Sequence, residues 1–217
     1  MKVSPPAPPL SDGMVTLRPW TPGDVPEVTL ACRDPEIVRW TTQIPEDYTE
    51  EHARSWIEST SAGWARGNAE FAITGTQTSA LASAIGLFAR ESWVAEIGYW
   101  MAAPFRNRGL ATRALVLVAD WGQSLGFVRL QLMMLPGNEA SARIAAKAGF
   151  NEELAGPGAT SRTREGVATG ATRQARPSER TQACRVARNT PRRSCTQDLL
   201  ARIARMSYLP AAGTAGR

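Results

Sequence analysis

Arg106, Asn107, Arg108, Gly109, Leu110, Ala111 and Thr112 stand together where an alternating apolar segment gives way to a helical one. A loop at such a junction aims several successive backbone N–H groups at one anion, and the helix dipole adds partial positive charge there. Gly109 allows close backbone approach, while Arg106 and Arg108 bring charge to the same spot. A diphosphate suits that arrangement. Taken alone, the same residues also describe an ordinary turn at a helix start.

The elements around the loop follow from periodicity. Residues 14–18 alternate apolar and polar and lead through Pro19 into Thr21, Pro22, Gly23 and Asp24, a strand running into a helix cap. Helices are expected over 25–32, 35–40 and 49–65, the last opening with Glu50 and Glu51, acids that suit a helix N-terminus. Strands follow over 69–74, 81–90 and 93–101. In the third, Glu96, Gly98 and Trp100 share one face and Ile97, Tyr99 and Met101 the other. Leu110, Ala114, Val118 and Trp121 recur at helical spacing, so 109–124 is a helix with an apolar face. A β-rich run over 127–134 and a short helix over 141–148, stopped by Gly149, complete the ordered pattern. Strands alternating with helices define an α/β fold with a mixed sheet.

At this point the chain resembles a known family. Arg106 to Ala111 is similar to the Q/R-x-x-G-x-G/A signature of GNAT-superfamily N-acetyltransferases. Glu96, Ile97, Gly98, Tyr99 and Trp100 resemble that family's fourth strand. Asn138, Glu139, Ala140 and Ser141, with Ala148, Gly149 and Phe150, resemble its N-x-A-S and A-G-F segment. Val15 to Pro19 adds a fourth match, and residues 13–155 are covered. The pattern resembles the subgroup of ribosomal-protein N-terminal acetyltransferases and related small-amine acetyltransferases.

The resemblance implies a mostly antiparallel sheet flanked by helices, acetyl-CoA as cosubstrate, and direct attack of an amine on the thioester. The acceptor would be a protein N-terminus or a small molecule. The diphosphate would lie on 106–112, and the pantetheine arm between splayed strands against Tyr99, Trp100, Met101 and Asn138. Asn138 serves equally as a helix cap. Glu96 is the candidate base, directly or through water, with a purely structural carboxylate as the other reading. Relatives use a tyrosine on the fourth helix as acid. None stands between 137 and 150 here, which leaves Ser141 or water. Trp56, Trp64 and Trp121 suit core packing, and Trp100 and Trp40 an acceptor wall.

Composition bounds the rest. The net charge of +5 is divided unevenly. Residues 1–155 carry 13 basic and 17 acidic side chains, whereas 156–217 carry 12 arginines and 3 acids. The basicity therefore belongs to 156–217, expected to be a disordered tail of Ala, Arg, Thr and Gly, with at most a weak helix over 196–206. Residues 1–12 are expected to be a flexible Pro-rich segment, with 13–155 the single domain. Three scattered cysteines and one histidine suggest neither disulfides nor a metal site. No signal or membrane-spanning run is recognisable, so a cytoplasmic location is expected.

Family members add two strands after A-G-F, and 156–217 show none in their pattern. That stretch resembles a GC-rich gene read out of frame, an alternative that would give a CoA-binding but catalytically impaired product with an open sheet edge. A third class, a nucleic-acid binder, would rest on the arginines of the tail.

Overall fold

Val15 and Leu17, Phe71 and Ile73, Ile85 and Leu87, Ala95 and Ile97, and Leu130 and Leu132 are the alternate residues of five strands, and all are buried. Such alternation commits one face of a sheet to a core. In the computed structural model, which describes residues 2–41, 43–76, 80–153 and 160–165, these strands lie in an eight-stranded sheet. All described residues belong to one unit, Met1–Val167.

The elements are β1 (Leu10–Ser11), β2 (Val15–Pro19), α1 (Val25–Cys32), α2 (Pro35–Trp40), α3 (Glu50–Gly63), β3 (Asn68–Gly75), β4 (Leu81–Ala89), β5 (Val94–Met101), α4 (Leu110–Ser124), β6 (Arg129–Met134), α5 (Glu139–Lys147), β7 (Asn151–Glu153) and β8 (Thr160–Glu165). The strand order is β1-β2-β3-β4-β5-β6-β8-β7. Among the described residues only β5 and β6 are parallel neighbours, so the sheet is mostly antiparallel, as expected.

Helix α4 covers the face just named. Its Ala114, Leu115, Val118 and Ala119 are fully buried in that core. Trp64, Phe71 and Trp121 meet edge to face beneath it, with centroids 5.1 to 6.2 Å apart, a favoured geometry for aromatic rings. The opposite face carries Ala72 and Ala84 and packs against α1 and α3 through Trp20, Val28, Cys32, Ala53 and Ile57. Trp56 joins this second core, edge to face with Trp20 at 4.9 Å.

Helix α4 approaches the sheet closely at Gly122, where an added Cβ would lie 2.6 Å from Leu87 Cδ1 and 3.3 Å from Leu130 Cδ2. Gly122→Ala is therefore expected to lower stability by about 1–3 kcal/mol despite alanine's better helix propensity, because overpacking outweighs it. Urea denaturation followed by circular dichroism measures the change.

Several expectations need correction. The segment 1–12 is anchored at two points: Val3 is buried and its N–H donates to the Trp64 carbonyl at 3.1 Å, while Leu10 and Ser11 pair with Leu17 and Thr16 of β2. Single apolar residues among prolines give no periodic signal, so this edge strand is silent in the pattern. After Phe150 the chain forms β7 and then β8, which pairs antiparallel with β6 from Arg129↔Glu165 to Met134↔Thr160. The edge of β6 is thus covered, where the out-of-frame alternative would have left it open. Thr160–Glu165 is polar throughout, which hides it from a search for apolar alternation. Its β-branched threonines favour extended backbone, and β6 offers an unpaired row of N–H and C=O groups. The expected helix at 196–206 and the remainder of the Arg-rich stretch lie outside the described residues.

Candidate active site

Strands β5 and β6 pair only over Val94↔Arg129, Ala95↔Leu130 and Glu96↔Gln131. Beyond Glu96, β5 continues to Met101 against β4 alone, and beyond Gln131, β6 continues to Met134 against β8 alone. A seam therefore opens in the sheet from Ile97 and Leu132 onward, leaving backbone N–H and C=O groups of both strands without a ladder partner. An extended arm carrying amides can bond there.

The loop 102–109 crosses from the end of β5 to the start of α4. Asn107 has φ +60° and Gly109 φ +76°, two positive-φ residues in three, a turn geometry that can aim successive N–H groups at an anion. Gly109 is the helix N-cap and supplies no side-chain bond to the first turn, so the leading N–H groups of α4 are left for a ligand.

The two arginines divide the work. Arg106 donates from Nε to the Met101 carbonyl at 3.0 Å and from Nη2 to Asp34 Oδ2 at 2.7 Å. It thereby fastens the loop to β5 and to the N-cap of α2, a role not apparent in the sequence. Arg108 lies over the Phe105 ring at 5.8 Å. Leu110, Ala111 and Thr112 form the first turn of α4, with Ala111 buried.

Asn138 caps α5, its Oδ1 accepting from Ser141 N–H at 3.1 Å, which is the capping role foreseen for it. Ser141 Oγ in turn lies 2.8 Å from the Tyr99 hydroxyl. This contact joins β5 to the helix that follows β6, so it bridges the two sides of the seam on the α4 face. Burial pushes the Tyr99 hydroxyl up to about 12, opposed by Ser141. The phenol therefore stays protonated at neutral pH. Sequence reasoning took Tyr99 for a cofactor contact and missed this partnership, which links positions 42 residues apart.

Glu96 lies on the opposite face, where Arg90 Nε bonds its Oε2 at 3.0 Å. Trp100 packs on that face against the second core. Trp40 approaches the seam from α2: its ring lies 4.0 Å from where a Cβ of Gly137 would stand, and Glu36 accepts from its indole N–H at 3.1 Å. Beside Asp34, a concavity of about 350 Å³ is lined by Arg33, Pro35, Val38, Arg39 and Glu46.

A further carboxyl on this face was not singled out. Glu70 of β3 accepts a hydrogen bond from the Trp56 side chain, and burial pushes it up to about 7 against the lowering effect of that bond. A folded-state value above the unfolded one means that the folded protein holds the extra proton between about pH 4.5 and 7, so stability falls as pH rises through that window. Glu70→Gln, which carries no charge, is therefore expected to be more stable than the wild type at pH 8 by about 2 kcal/mol, the full shift being reduced for residual solvent contact. The gain should vanish at pH 4.5. Melting curves at the two pH values test this.

Among the described residues no group of His, Cys, Asp and Glu is placed to hold a metal ion, and no helix is long and apolar enough to cross a membrane.

The acetyltransferase (GNAT) domain matches residues 14–151, and the chain belongs to that family. Solved structures share the fold at low identity. An acetyltransferase from Agrobacterium tumefaciens is 22% identical, covering 76% of this chain and 99% of its own, with a TM-score of 0.62. MccE, the microcin C7 self-immunity acetyltransferase solved with acetyl-CoA and AMP, is 17% identical over 71% of this chain and 93% of its own, TM-score 0.62. RimL, a ribosomal L7/L12 alpha-N-protein acetyltransferase solved with coenzyme A, is 17% identical over 72% and 96%, TM-score 0.62. No curated protein sequence matches.

Proposed function

We propose that this protein transfers the acetyl group of acetyl-CoA to a primary amine by direct attack, and that the amine is a protein N-terminal α-amine. The observation that carries the reading is the seam beyond Glu96 and Gln131, lying next to a loop with left-handed residues at 107 and 109. The loop is shaped for a diphosphate and the seam for an extended amide-bearing arm, in the relative order that acetyl-CoA requires. RimL, which shares the fold, acts on a protein α-amine, and the segments around Glu96 and Asn138 resemble that subgroup.

In this reading Arg106–Thr112 hold the diphosphate, while the β5 backbone at Tyr99–Met101 and Asn138 hold the arm. Tyr99 and Ser141 face the leaving sulfur on the α4 face. The acceptor enters from the α1–α3 face, between Trp40 and Trp100. Glu96, where the seam opens, is the base suggested by the sequence. The location that goes with this activity is cytoplasmic.

The test combines calorimetry of acetyl-CoA binding with mass spectrometry of a panel of peptides bearing free N-termini. Micromolar binding with acetylation confined to the α-amine is the expected result. Acetylation of small amines alone would reassign the acceptor, and binding without transfer to any amine would favour a CoA-binding product that does not turn over.

A further inference from the structure

Asp34 uses both of its carboxylate oxygens, and each holds a different part of the site. Oδ1 caps α2, accepting from the Glu36 N–H at 2.9 Å, and Oδ2 accepts from Arg106 Nη2 at 2.7 Å. Arg106 also donates from Nε to the Met101 carbonyl at 3.0 Å, so the same guanidinium grips the last residue of β5. The pair is sheltered, with the Asp34 side chain 20% and the Arg106 side chain 32% exposed. The Arg39–Glu36 pair of α2 is wider, at 3.5 Å, and more than half exposed on both sides. Exposed pairs contribute little, whereas breaking a sheltered pair is felt.

The other end of α2 reaches the far side of the seam. Its last residue is Trp40, whose ring lies 4.0 Å from where a Cβ of Gly137 would stand. Gly137 follows β6 and precedes Asn138, the cap of α5. Glu36, whose N–H is held by Asp34, accepts from the Trp40 indole at 3.1 Å. The six residues of α2 span about 9 Å, about twice the spacing of paired strands. Helix α2 therefore bridges the mouth of the seam, anchored on the β5 side by charged hydrogen bonds and meeting the β6 side through an aromatic ring. A helix of six residues with one buried side chain, Ile37, is weakly held on its own. The tether at its start thus decides where its last residue stands.

We propose that Asp34 is a positioning residue: through Arg106 it sets where α2, and with it Trp40, stands relative to β5, and so fixes the width of the passage by which the acceptor amine enters. The proposal rests on the amine-transfer reading above, in which the acceptor passes between Trp40 and Trp100. Trp100 is carried by β5 itself, one residue before Met101. The Arg106 bridge accordingly ties both walls of the passage to one strand.

Asp34→Asn separates the two bonds. With its amide oxygen kept on the Glu36 N–H, its NH2 group faces the Arg106 guanidinium, donor against donor, so the cap survives and the tether breaks. Asp34→Ser, a shorter cap that stops short of Arg106, is measured in parallel so that the outcome does not hang on one fold. Steady-state kinetics with an α-amine peptide and a diamine, calorimetry with acetyl-CoA and melting temperatures are compared for these two variants, Trp40→Ala and the double variant Asp34→Asn/Trp40→Ala. Acceptor KM should rise about tenfold in Asp34→Asn and Asp34→Ser, with kcat and acetyl-CoA affinity within about threefold of wild type. The double variant should match Trp40→Ala in KM, because the tether then has no wall to place. A residue that merely capped α2 would leave KM unmoved in both capped variants, and that result overturns the proposal. Losses that multiply in the double variant overturn it as well, since Asp34 would then act apart from Trp40. Wild-type protein that binds acetyl-CoA but acetylates neither amine defeats the transfer reading itself, and the role of Asp34 with it.

Discussion

Gly109→Trp is expected to weaken acetyl-CoA binding by at least about 1,000-fold while leaving the protein folded. At φ +76° an L-residue carries a strain of about 1–2 kcal/mol, which either distorts the turn or populates it poorly. Nothing lies within 4 Å of a Cβ built at Gly109, so the indole meets no protein atom close to the backbone and projects into the space over the helix N-terminus. That is the space where the diphosphate would accept several backbone N–H bonds, each worth about 1.5–3 kcal/mol to a charged acceptor. Losing two of them together with the strain weakens affinity by at least about 1,000-fold, or about 4 kcal/mol. Calorimetry reads the affinity, and the melting temperature reads the fold. Gly109→Ala separates the contributions, since it keeps the strain without filling the space, and about a tenfold loss is expected. Unchanged affinity in the tryptophan variant would place the diphosphate elsewhere.

What the sequence disclosed and what it concealed divide along physical lines. Helices α1 and α2 fall on residues 25–32 and 35–40 as read from capping and proline placement, because those signals are local. The alternation of β5 correctly separated Glu96, Gly98 and Trp100 from Ile97, Tyr99 and Met101, and that separation places Glu96 and the Tyr99 hydroxyl on opposite faces of the sheet. Strand β8 was hidden, because its residues are polar and its pairing with β6 spans about thirty positions of chain. One relation at the site was hidden for the same reason. Tyr99 meets Ser141 only because β6 leads into α5 across the seam. Motif spacing reports what one segment can do. Which segments share a rank of the sheet is settled by pairing, to which local pattern is blind.

Tyr99 and Ser141, whose hydroxyls lie 2.8 Å apart, are proposed to act as a single donor unit, which would set how their variants combine. A coenzyme A thiol leaves as a thiolate, and the thiol's ordinary pKa is near 8.5. Tyr99, pushed up to about 12 by burial, is a weaker acid than that thiol. In the proposed reaction it would therefore stabilise the departing sulfur by donating a hydrogen bond and would not be consumed as a proton source. Ser141, 2.8 Å away, orients the phenol and connects it to the first turn of α5, where Asn138 fixes the serine backbone. Tyr99→Phe removes the donor and is expected to lower kcat several-hundred-fold, within the range of positioned proton donors. Ser141→Ala leaves the phenol in place with its orientation loosened, for a loss of about tenfold. If the two act as one unit, the double variant is no slower than Tyr99→Phe alone, because the serine has nothing left to orient. Multiplied losses would mean that each hydroxyl reaches the sulfur separately. Acetyl-CoA affinity should stay within about threefold in all of them, since the diphosphate loop is untouched, so steady-state kcat at saturating acetyl-CoA isolates the step at which the thiolate departs.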